Sequence, residues 1–112
     1  MIKTIVVRRG EGDLFMVLVP GDRVIDWVKL RQVCGVSRMS LAPAEEALAA
    51  TGYMPGTITP FGSLTALPVI ADASMGGLAS IGGGAHGVAI NVDAVELITY
   101  LGAQVADVTK VV

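Results

Sequence analysis

Apolar positions along this chain come in short runs divided by turn-forming residues, and their period changes from run to run. Ile2–Arg8 is rich in β-branched residues and free of turn formers, which predicts a strand. Gly10-Glu11-Gly12-Asp13 predicts a hairpin turn, with Leu14–Val19 returning as a second strand. After Pro20-Gly21-Asp22 the period becomes helical. Trp27, Leu30, Val33 and Cys34 share one face, so a helix is expected over Trp27–Cys34, with Asp26 as N-cap and Gly35 just beyond its end. A second helix is expected from Pro43 through Ala50, with Glu45 and Glu46 in its first turn and Gly52 stopping it. Leu67–Ile70, Leu78–Ile81 and Val88–Val92 read as strands. Asp93 caps a third helix over Ala94–Leu101, ended by Gly102, and Gln104–Val108 reads as an edge strand.

Helices are interspersed with hairpins rather than alternating strictly with strands. The expected class is therefore α/β of the α+β kind: a mixed, largely antiparallel, twisted or barrel-like sheet with about three helices. One domain over residues 1–112 is expected.

Composition adds expectations about partners. Hydrophobic residues make up 53% of the chain and charged residues only 16%, against roughly 25% charged in an average domain. Self-association would hide the surplus apolar surface, so a homodimer is expected. Apolar runs such as Leu14–Pro20 are far shorter than the ~20 residues of a membrane helix, and no charged-then-apolar leader opens the chain. A single cysteine, Cys34, fits a reducing compartment and reads as a buried structural residue. The expected location is the cytoplasm, without a membrane partner. The net charge is −2, and the basic residues form only loose groups, Lys3 with Arg8 and Arg9, and Lys29 with Arg31 and Arg38. Tight sequence-independent binding of nucleic acid is not expected, and a nucleic-acid end would be gripped locally and transiently.

The chemistry-bearing stretch is residues 51–72. Gly56-Thr57-Ile58-Thr59-Pro60 lies between a helix end and a strand closed by Asp72, and Pro55 and Pro60 stiffen it. Such a loop can aim backbone N–H groups outward, or it can be an ordinary surface connection. Residues 82–87 match G-x-G-x-x-G, but a β-rich run follows instead of a helix, so a hairpin connection is expected. His86, the only histidine, has no ligand pattern around it, so no metal is expected. Lys3 sits in an apolar strand whose alternation could turn it inward or outward. In a cleft, its ammonium could hold a phosphate or polarise a carbonyl.

One ordered series runs through nearly the whole chain. It comprises Lys3-Thr4, Val19-Pro20-Gly21-Asp22-Arg23, Thr51-Gly52-Tyr53, Gly56-x-x-x-Pro60-Phe61-Gly62, Leu67-Pro68, Asp72 and a late Gly-Gly-x-x-Gly. This series resembles the YbaK / prolyl-tRNA synthetase-associated editing-domain family. The resemblance implies a trans-acting deacylase that hydrolyses the ester between a small, wrong amino acid and the 3′-terminal adenosine of a tRNA, of the proline type. It implies no metal, no cofactor and no covalent nucleophile, and a tRNA synthetase as a possible further partner. It also implies catalytic positions at Lys3, Gly56 and Thr57. Substrate-binding positions follow at Tyr53, Ile58, Thr59, Pro60, Asp72, Gly82, Gly83 and His86. Gly82 stands where some family deacylases have serine, Ala89 where they have aspartate, and Thr57 where a second loop glycine is common. A binding module with an incomplete pocket is the alternative. In either case Lys3 and the 56–60 loop should line one cleft.

Overall fold

The first two strands pair as a long antiparallel hairpin on which the other elements are assembled. The computed structural model describes residues 1–54, 56–85 and 87–112. Strands β1 (Ile2–Gly10) and β2 (Asp13–Pro20) run in register with Lys3 opposite Val19, Ile5 opposite Val17 and Val7 opposite Phe15. The chain then forms β3 (Arg23–Ile25), α1 (Trp27–Cys34), β4 (Ser40–Leu41) and α2 (Ala44–Thr51). It continues through β5 (Val69–Asp72), β6 (Leu78–Gly82), β7 (Ala89–Asp93), α3 (Ala94–Leu101), β8 (Gln104–Ala106) and β9 (Thr109–Val111).

The main sheet has the order β7-β6-β1-β2-β5-β8, with β4 attached further along β1, and β3 pairs separately with β9. The β1–β2, β1–β4, β6–β7 and β3–β9 pairs are antiparallel, whereas β1–β6, β2–β5 and β5–β8 are parallel. The sheet is mixed and mostly antiparallel, as expected.

Both faces of the hairpin are covered, which explains why Phe15–Val19 is a continuous apolar run rather than an alternating one. Val7, Phe15, Val17 and Val19 pack with Leu30 of α1, Ile25, Ile70 and Val108. On the opposite face, Ile2, Leu18, Ala71 and Ile81 meet Leu97 of α3, while Val6 and Met16 meet Ala47 of α2. Cys34 is only partly buried, packed against the first of these clusters.

Helix ends follow local chemistry. Asp26 accepts the N–H groups of Val28 and Lys29, Asp93 accepts that of Glu96, and all three helices end on left-handed glycines. No helix among the described residues is long and apolar enough to cross a membrane.

The feature that positions the site is a gap along β1. Among the described residues, strand β6 pairs with β1 only at Ile2, and β4 only at Val7 and Arg8. Odd-numbered residues of β1 direct their backbone groups toward β2, so even-numbered residues direct theirs to the open edge. The bond from Ala42 N–H to the Val6 carbonyl, 3.0 Å, confirms that direction. The N–H and C=O of Thr4 therefore face the gap, and no strand pairs with them among the described residues.

Candidate functional site

The gap opens into a cleft of about 420 Å³ whose walls include Lys3, Thr4, Ile5, Gly56, Ile58 and Gly82. A hollow of about 200 Å³ shares Thr4, Ile5, Gly56 and Ile58 and extends to Ala42 and Ala47. Lys3, on the first strand, and the glycine-proline loop thus border one space.

The loop is braced from both ends. Thr51, buried in the last turn of α2, donates its hydroxyl to the Ala47 carbonyl at 2.7 Å and accepts the Tyr53 N–H at 3.1 Å. Tyr53 then donates its own hydroxyl to the Phe61 carbonyl at 2.5 Å. Its ring lies against Gly84, where an added Cβ would come within 2.9 Å of the ring. Gly84 also has φ +95°, so glycine is required there twice over. Thr51-Gly52-Tyr53 is a fastening that ties the loop to α2 and to the turn after β6.

Within the loop, Gly56 takes φ +89°, and Thr57 folds back. Both the N–H and the hydroxyl of Thr57 donate to the Met54 carbonyl, at 2.9 and 2.6 Å. That N–H is therefore occupied, whereas those of Gly56 and Ile58 make no backbone hydrogen bond among the described residues. Ile58 lines the cleft and packs on the Val6–Met16–Ala47 cluster. Thr59 is buried beneath, and its hydroxyl finds no partner among the described residues.

Lys3 stands exposed at the rim, and its Nζ donates to the Arg23 carbonyl at 3.0 Å. No carboxylate forms an ion pair with it among the described residues, so its charge is not neutralised locally. Gly82 faces the loop: a Cβ added there would meet the Ile58 carbonyl at 3.7 Å, an ordinary contact.

Other expected residues lie elsewhere. Pro60 borders a separate hollow with Met16 and Tyr100. Gly83 closes the β6–β7 connection, donating its N–H to Val88 at 2.9 Å. The strand at β7 confirms that the G-x-G-x-x-G match opens no helix. Asp72 is buried and turned away from the cleft. Its carboxylate accepts the N–H of Val108 at 3.1 Å, the N–H of Ser74 at 3.0 Å and the Ser74 hydroxyl, with Arg23 Nε at 3.9 Å. Burial pushes the Asp72 carboxyl up, but hydrogen bonds from Ser74, Val108 and Thr109 outweigh it and hold the group below the ordinary range. It works as a lock between β5 and the β8–β9 connection. Pro55 and His86 lie outside the described residues.

Thr4 enters the ordered series only as the neighbour of Lys3, and reading along the sequence gives it no role of its own. Its backbone faces the cleft, and its hydroxyl is buried without a partner among the described residues. A threonine in a β-branched strand looks like a packing residue, so only its place opposite the gap reveals it.

The site thus offers an unneutralised ammonium at its rim, outward-facing backbone groups of Thr4, and a stiff turn on the facing wall. Donors fixed in this way suit a carbonyl oxygen that gains negative charge during acyl transfer. No cluster of His, Cys, Asp or Glu that could hold a metal ion occurs among the described residues.

Comparison with known proteins agrees with this architecture. The sequence profile of the aminoacyl-tRNA editing domain family matches residues 1–110. The proline–tRNA ligase of Trichlorobacter lovleyi is 37% identical over 71 residues, which is 63% of this chain and 12% of the ligase. That of Acidithiobacillus ferrooxidans is 33% identical over 86 residues, 77% of this chain and 15% of the ligase. The chain thus spans less than a fifth of the length of these curated relatives. A solved structure described as a candidate trans-editing enzyme for prolyl tRNA synthetase superposes with a TM-score of 0.89 at 29% identity, covering 97% of this chain and 69% of that one. The profile spans nearly the whole chain, and the chain belongs to the aminoacyl-tRNA editing domain family.

Proposed function

We propose that this protein removes a wrongly attached amino acid from the 3′ end of a tRNA, acting in trans, with a small amino acid on a tRNA of the proline type as substrate. The observation that carries the proposal is the shared cleft of Lys3 and the 56–58 turn at the open edge of β1. In this reading the Lys3 ammonium exchanges the Arg23 carbonyl for a phosphate of the terminal nucleotide. Such an exchange at an exposed lysine costs little. Water attacks the ester carbon, and the resulting oxyanion is stabilised by N–H groups of the turn at Gly56 and Ile58. The vicinal ribose hydroxyl of the substrate relays the proton from the attacking water toward the departing ribose oxygen. A Ser-His-Asp set is therefore unnecessary. Ile5 and Ile58 narrow the cleft, so rejection of larger amino acids is by size.

The reading places the protein in the cytoplasm, where tRNA is charged, with a synthetase as a further partner. It also includes a homodimer, since Leu78, Val88 and Ile90 leave apolar surface exposed beside the outermost strand. A monomer mass by light scattering would remove that part.

One observation favours a second reading, a binding module without turnover: the Thr57 N–H, a candidate donor, is occupied by Met54. Tests with alanyl-, cysteinyl- and seryl-tRNA separate the two. Release of amino acid that depends on Lys3 supports hydrolysis. Binding of charged tRNA without release supports the module.

A further inference from the structure

Half of the basic residues meet around one hollow at the far end of β1. Arg8 and Arg9 leave the end of the strand, Arg31 projects from the last turn of α1, and Arg38 lies in the segment leading to β4. With Ser37 and Ser40 they line a space of about 650 Å³. In the sequence these four arginines belong to two separate loose groups, and the hairpin together with the α1–β4 connection gathers them into one.

The charge they bring is only partly answered. Asp13 bonds Arg9 at 3.1 Å, and Glu46 stands 3.8 Å from Arg8 Nε. Arg31 and Arg38 pair with no carboxylate among the described residues. A cluster only half compensated in this way, on a chain of net charge −2, carries self-repulsion, which a bound anion would relieve. Arg9 is also held in place: its guanidinium lies 5.0 Å over the centre of the Phe15 ring, and its buried Nε finds no acceptor among the described residues. A guanidinium fork held in this way matches phosphate oxygens.

The position of the hollow selects the kind of anion. Walking along β1, the main cleft is walled by Met1–Ile5, the smaller hollow by Thr4–Val6, and the arginine hollow by Arg8–Gly10. Arg8 lies five residue steps along the strand from Lys3, roughly 17 Å. A polymer whose end sits at Lys3 meets the arginines a few units further along.

We propose that the Arg8–Arg9–Arg31–Arg38 hollow binds the phosphodiester backbone of the tRNA strand leading to the ester, holding the substrate by charge without reading its bases. This rests on the tRNA substrate proposed above.

The test is binding of uncharged tRNA, by fluorescence anisotropy across a salt series, to the wild-type protein, the Arg31→Gln/Arg38→Gln double variant and Lys110→Gln. Lys110 is exposed on β9, outside the hollow. Four phosphate contacts predict a roughly 50- to 150-fold loss of wild-type affinity between about 50 and 200 mM salt. The double variant should bind at least about tenfold more weakly at the lowest salt, with a log–log salt slope shallower by about two. Lys110→Gln should leave both nearly unchanged, and circular dichroism should show all three proteins folded. Unaltered affinity and slope in the folded double variant would overturn the proposal. So would an equal loss in Lys110→Gln, or phosphatidylserine vesicles bound as tightly as tRNA. The measurement needs no turnover, so its outcome is independent of hydrolysis. Arginine-dependent binding without deacylation removes only the enzymatic reading, and deacylation indifferent to Arg31 and Arg38 removes only this one.

Discussion

Tyr53 and Phe61 are joined across the loop by a 2.5 Å hydrogen bond, from the tyrosine hydroxyl to the phenylalanine carbonyl. That bond spans the turn carrying Gly56 and Ile58, so the aromatic side chain sets the shape of the cleft wall without lining the cleft.

Removing the bond should loosen the wall before it unfolds the protein. Tyr53→Phe is expected to lower stability by about 1 kcal/mol, the usual worth of such a bond. It should also reduce deacylation more than tRNA binding. Urea denaturation and steady-state kinetics check the two parts, and unchanged activity with reduced stability would restrict Tyr53 to holding the fold.

Gly84 meets the other side of the same ring. Gly84→Ala places a methyl group where 2.9 Å separates it from Tyr53, at φ +95°. The left-handed backbone alone costs about 1–2 kcal/mol for a residue with a side chain. A fall in thermal midpoint should follow, and Gly87→Ala, which has open space around its α-carbon, should cost less because only the backbone term remains.

Asp72 makes acid sensitivity a property of the fold. Its carboxyl is held below the ordinary value of 3.8 in the folded protein, so its stabilisation is fully present above that value. That stabilisation is lost as pH falls through the folded pKa. Asp72→Asn should destabilise the protein at neutral pH by about 1–3 kcal/mol, because an amide cannot accept from Ser74 and Val108 on both sides. It should also flatten the loss of stability below about pH 4. Denaturation curves at a series of pH values check this, and equal acid sensitivity in the variant would place the titrating group elsewhere.

These residues also mark where sequence reading stops. Asp26, Asp93, Gly35 and Gly102 act within a few residues of their own positions, so the helix ends were legible from local chemistry. Strands β3, β4 and β9 were not, since two or three residues carry no period and their pairing depends on distant chain. Asp72 joined the substrate-binding positions through the family resemblance, and nothing local to it in the sequence shows the contacts it makes. Its partner Val108 lies 36 residues away. The arginine hollow and the outward-facing groups of Thr4 arise from which strands end where along β1. Neither leaves a trace in spacing. Lys3 and Gly56 were legible as members of an ordered series, Ile58 only as a position inside its loop, and the fold brings all three to one cleft.

The most direct measurement is single-turnover release of alanine from alanyl-tRNA of the proline type by the wild-type protein and by Lys3→Ala. Lys3 is exposed and, among the described residues, its side chain makes one hydrogen bond, to the Arg23 carbonyl, so the variant should fold normally. The expected result is release by the wild type and a loss of roughly a hundredfold or more in the variant. Equal release by both proteins would contradict the role of Lys3, and no release from any mischarged tRNA by folded wild-type protein would contradict the hydrolytic function itself.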